Sequence, residues 1–141
     1  MANDYGTVRT NYFHVKSEED FRALMARVTA EDEIHIFEEP DLSGKPMFGF
    51  GCYGSIYGLS SDNDEEGEES YDDFVLQLQD CIAENDAAII MEAGYEKLRY
   101  VVGTALVVTS KETYFVDAKD VAIDKARELL GDSDWVTKCE Y

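Results

Sequence analysis

The chain reads as an α+β protein: an antiparallel sheet with about three helices, in the order β-α-β-β-α-β-β-β-α. Three observations predict this. Hydrophobic residues make up 45% of 141 residues and aromatics 12%, enough for a packed core and too many for a disordered chain. Two amphipathic stretches with helix-cap signals alternate with short aromatic and β-branched runs. The last third holds three such runs joined by tight turns, the pattern of a C-terminal three-strand meander. The length fits one domain over residues 1–141, with an acidic, mobile loop at 60–69.

Taken in order, "TNYFHVK" (10–16) has the composition of a strand. Ser17 with Asp20 approximates a capping box, and Phe21, Leu24, Met25 and Val28 then recur at helical spacing. "DEIHIFEE" (32–39) alternates as a half-buried strand, and "PDLSGKP" turns the chain. "MFGFGCYGSIYGL" (47–59) reads as a strand that its glycines let bend. Ser70 and Asp73 repeat the cap pattern before Phe74, Leu78, Cys81 and Ile82, which predicts a helix ending near Asn85. "AAIIMEA", "LRYVVGTALVVTS" and "TYFVDA" supply the meander. Asp117 and Asp120 open a last helix whose apolar positions include Val121, Ala122 and Leu129, with Gly131 ending it. "DWVTKCEY" closes the chain as a short strand or packed tail.

Charge is the outlier. Thirty-one acids face twelve bases, a net of −19. Residues 60–73, "SSDNDEEGEESYDD", hold eight acids and no base, yet 23 acids still face 12 bases outside them. Such a chain repels phosphate backbones and anionic membranes and attracts basic proteins, less so as salt rises. Residues 1–10 carry no signal-peptide pattern, and the longest nearly apolar run, 100–108, is too short for a membrane span. Three scattered cysteines (Cys52, Cys81, Cys139) without a CxxC fit reduced thiols and a cytoplasmic setting. Cys81 falls on the buried face of its helix, and Cys139 near the end reads as exposed.

Asp62, Asp64, Glu66, Gly67, Glu68, Ser70 and Asp73 fall at positions 1, 3, 5, 6, 7, 9 and 12 of a calcium loop. Positions 5, 8 and 12 depart from the motif, and a strand precedes it where a helix is required. Gly49, Gly51 and Gly54 spell GxGxxG, but no helix follows to receive a phosphate. The glycines fit strand bending or close aromatic packing instead. His14 and His35 are the only histidines, and each could serve a small enzyme as general base or ligand, or simply be structural. No residue is assigned to catalysis, and no cofactor or metal is expected.

What remains is the acidic field. Asp62, Asp64, Glu65, Glu66, Glu68, Glu69, Asp72, Glu38 and Glu39 are the expected partner-binding residues. Duplex DNA carries about one charge per 1.7 Å of axis, so dense carboxylates can compete for a basic channel, and tyrosines add contact area. The segments "NDYGTVRTNYFHVK", "DNDEEGEESYDDF" and "IIMEAGYEKLRYVVGTALVVTSK" resemble small acidic mobile-element proteins of the anti-defence type, anti-CRISPR or antirestriction inhibitors. The resemblance implies a non-enzymatic inhibitor that occupies the basic nucleic-acid-binding surface of a bacterial defence nuclease. The alternatives are an acidic adaptor whose charge serves solubility and an enzyme using His14 or His35.

Overall fold

The computed structural model describes residues 4–60, 69–96 and 100–137. Most strands join one six-stranded antiparallel sheet, order β3-β4-β1-β7-β8-β9: His35–Pro40, Pro46–Tyr53, Asp4–Thr10, Ala88–Glu96, Tyr100–Val108 and Thr113–Asp117. The last three are the expected meander. A small sheet, β2-β5-β6, is built from Val28–Ala30, Ile56–Ser60 and Glu69–Ser70. The expected α+β order is kept, with β2, β5 and β6 added as short pieces.

The first strand lies earlier than its composition suggests. β1 ends at Thr10, and residues 11–16 make only two isolated bridges, Phe13 to Phe48 and Val15 to Ile82. Asn11 ends the ladder: its side chain donates to the Ala87 carbonyl at 3.0 Å and accepts the Ile89 N–H at 2.7 Å. The 47–59 run bends so far that its halves enter different sheets. Gly54 makes the turn at φ 83°, and a Cβ there would collide with the Glu31 side chain.

Three helices complete the fold. α1 (Glu18–Arg27) starts where Ser17 Oγ accepts the Asp20 N–H at 3.2 Å. α2 (Tyr71–Cys81) starts likewise at Ser70, which accepts from Asp73. α3 (Ala118–Leu130) is capped by Asp117 and ends in left-handed Gly131, as the sequence predicts. α1 and α2 bury Phe21, Leu24, Met25, Phe74, Val75, Leu78 and Cys81 against the sheet. Five fully buried phenylalanines join the layers, with Phe13 edge-on to Phe21 and Phe50, and Phe50 edge-on to Phe74. α3 differs. It lies on β8 and β9 and buries no residue, and its apolar positions Val121 and Leu129 are exposed.

Candidate functional site

The carboxylates are unevenly placed, which the sequence reading, treating charge as spread along the chain, did not resolve. Residues 1–96 hold 23 Asp/Glu against 5 Lys/Arg, a net of −18; residues 97–141 hold 8 against 7, a net of −1. The exposed acids of the first group are also mostly without ion-pair partners among the described residues. Between residues 18 and 84, twelve described acids are exposed: Glu18–Asp20, Glu31–Glu33, Glu38, Glu39, Asp72, Asp73, Asp80 and Glu84. Of these twelve, only Glu18 and Glu38 lie within ion-pair reach of a base among the described residues, both on Arg22, at 2.8 and 3.4 Å. On α3, by contrast, Asp124 pairs with Arg127 and Glu128 with Lys125.

Of the expected partner-binding residues, Asp62, Asp64, Glu65, Glu66 and Glu68 lie outside the described residues. Glu69 sits in β6 and Asp72 in the first turn of α2, where it also complements the helix dipole. Glu38 and Glu39 do not act together. Strand alternation sends them to opposite faces of β3, and Glu38 is drawn to Arg22 on α1. The calcium-loop reading fails structurally as well: β5 precedes it, and Ser70 spends its side chain on the α2 cap. Among the described residues no group of three His, Cys, Asp or Glu side chains converges as a metal site.

His14 has a different partner set from anything legible in one dimension. Its Nδ1 lies 2.8 Å from Asp86 Oδ2 and its Nε2 lies 2.7 Å from Asp41 Oδ2. Its backbone N–H also donates to Asp86 Oδ2 at 2.7 Å. The other oxygen of Asp41 accepts the Ser43 N–H and hydroxyl and the Lys45 N–H, which fixes the β3–β4 turn. Asp86 Oδ1 accepts the Ala87 N–H in the α2–β7 turn. Both ring nitrogens therefore meet carboxylates, the arrangement that an imidazolium satisfies by donating twice. The Asp41 and Asp86 contacts raise the His14 pKa. Asp41 is held well below the usual carboxylate range by Ser43, then His14 and Lys45. For Asp86 burial pulls upward, but the His14 and Ala87 N–H groups and the imidazole outweigh it. The result is a three-loop clasp with no ring nitrogen left to take a proton from a substrate.

His35 is exposed and stacks on Phe37 across 6.5 Å. With Arg9, Gly51 and Tyr53 it lines a shallow depression of about 320 Å³. The Arg9 guanidinium lies 3.8 Å from the Phe37 ring centre. Gly51, paired with both Arg9 and His35, leaves the space Arg9 crosses; a Cβ there would stand 2.7 Å from the Val8 carbonyl oxygen. That is the structural use of this part of GxGxxG. On another side, Gly6, Glu31, Gly54, Glu92, Gly94 and Val102 line a cleft of about 180 Å³. Burial raises the Glu92 pKa, and Glu92 adds to the burial that pushes Tyr71 up to about 12. Cys52 and Cys81 are buried free thiols, both raised chiefly by burial, so neither is an activated nucleophile. Cys139 lies outside the described residues.

Among the described residues no helix is long and apolar enough to cross a membrane. Comparison with protein-family models, curated proteins and solved structures finds no match to this chain.

Proposed function

We propose that this chain is a non-enzymatic acidic inhibitor that occupies the basic nucleic-acid-binding surface of a bacterial defence nuclease, a CRISPR effector or a restriction enzyme. The observation that carries the reading is the set of exposed acids across α1, β3, α2 and their flanking loops, ten of the twelve without an ion-pair partner among the described residues. An acidic surface needed only for solubility can neutralise part of itself through surface ion pairs, as α3 does. Here Arg22 meets two of the twelve, the other ten stay open to cations from outside, and their summed field steers a basic partner in. The acids of 62–68, outside the described residues, precede β6 in sequence and add to the negative charge of the chain. Arg and Lys side chains of the partner would meet carboxylates in place of phosphates.

The test is competition. A labelled duplex or guide–target hybrid is bound to each of a panel of purified defence nucleases, and the chain is titrated in over a salt series. The reading expects displacement from a member of the panel, weakening steeply with salt. Displacement indifferent to salt would refute charge mimicry. So would displacement unchanged by replacing Glu65, Glu66, Glu68 and Glu69 with Gln together with Glu19, Asp32, Glu33 and Glu39 with their amides.

A further inference from the structure

We propose that β9 is the edge through which a second copy of this chain docks, antiparallel and two-fold related, so that two six-stranded sheets join into one of twelve. The two edges of the main sheet differ. β3 carries Glu38, Glu39 and Pro40, the charges and missing donor by which exposed edges resist pairing. β9 is Thr-Tyr-Phe-Val-Asp, strongly β-forming, without Pro, Lys or bulge. It pairs only with β8 among the described residues, and Tyr114 and Phe115 are 70% and 61% exposed.

The free ladder suits self-pairing. The Thr109 N–H donates to the Glu112 carbonyl at the β8–β9 turn. Antiparallel alternation then directs the backbone groups of Tyr114 and Val116 to β8 and those of Thr113 and Phe115 outward. A two-fold axis at Phe115 sets Phe115 against Phe115, Tyr114 against Val116 and Thr113 against Asp117. No like charges stand opposite one another, and the aromatic and β-branched pairs are those that stabilise sheets.

Charge selects the occupant. A basic partner is drawn to the −18 region, whereas the described residues 100–137, which form β8, β9, α3 and their connections, hold seven acids against four bases, a net of −3. For two chains of −19 this is the end where approach costs least. Five strand spacings separate β9 from β3, about 24 Å at ~4.8 Å each. That is more than twice the Debye length of about 8–10 Å in ordinary buffers. Pairing through β9 thus turns the acidic α1–β3 surfaces outward at opposite ends.

Sedimentation of the full chain up to about 200 µM, in ordinary buffer and in about 0.5 M salt where self-repulsion is screened, provides the test. The expected species has twice the 15.9 kDa chain mass, and Phe115→Lys, which opposes two lysines at the axis, returns it to monomer with its melting temperature kept. Tyr114→Lys, at a more exposed position, is the second variant should the first fail to fold. A wild type that stays monomeric at every concentration and salt overturns the proposal. A dimer that persists in a folded Phe115→Lys or Tyr114→Lys variant overturns it too, because another face would then be responsible.

Discussion

His14→Gln isolates the clasp. The substitution removes an imidazolium held by Asp41 and Asp86 and leaves each carboxylate its backbone donors, Ser43 and Lys45 for one and residues 14 and 87 for the other. A charge-assisted hydrogen bond is worth about 1.5–3 kcal/mol when shielded and under about 1 kcal/mol on an open surface. His14 and Asp86 are each less than a third exposed, so that contact falls between, roughly 1–2 kcal/mol. For a chain of this size the loss lowers the melting temperature by about 3–8 °C. The pH dependence gives the sharper readout. The His14 pKa is raised in the fold, so its contribution is complete below about pH 6.5 and is lost as pH rises through the folded value. Asp41 and Asp86 are lowered, so theirs is present above about pH 4 and lost on acidification. Thermal melts of both proteins from pH 4 to pH 9 should diverge most between about pH 4.5 and 6.5 and converge toward pH 9. Identical melts at pH 5.5, or a gap that widens with rising pH, would refute the clasp. General self-repulsion of an acidic chain acts on both proteins and cancels in the difference.

Other perturbations test the fold and the acid surface. Phe50→Ala removes a fully buried ring that meets Phe13 and Phe74 and should cost about 3–5 kcal/mol in denaturant unfolding. Gly58→Ala should destabilise by about 2 kcal/mol or more, since Gly58 sits at φ 123° and a Cβ would collide with the Ser70 carbonyl. Cys52 and Cys81 should react with a thiol reagent in the native state far more slowly than in denaturant, because both are buried.

Much of the fold was legible because local chemistry and tertiary structure agree. Ser17, Ser70 and Asp117 are caps by side-chain type, and each accepts the expected N–H. The meander was legible from its turns. Where reading failed, distant residues decide. Asn11 stops a strand by bonding residues 87 and 89, more than 70 positions away. The His14 site is likewise set by residues 27 and 72 positions off, so the sequence showed a histidine but not the saturation of its ring. α3 forms where its cap and Gly131 predict it, but it packs chiefly on β8 and β9 and buries none of its residues, a depth of packing that its local pattern does not encode. The asymmetry of charge needed no structure. Counting acids and bases separately before and after residue 96 would have revealed it.

Exposed carboxylates without internal partners are the binding chemistry proposed for this chain. Its most direct measurement is the salt dependence of affinity for a nuclease that the chain displaces from duplex, wild type beside the variant carrying amides at Glu19, Asp32, Glu33 and Glu39. Log affinity should fall steeply with log salt for wild type and less steeply for the variant, whose binding is weaker at low salt. Equal slopes and equal affinities for the two proteins would contradict it.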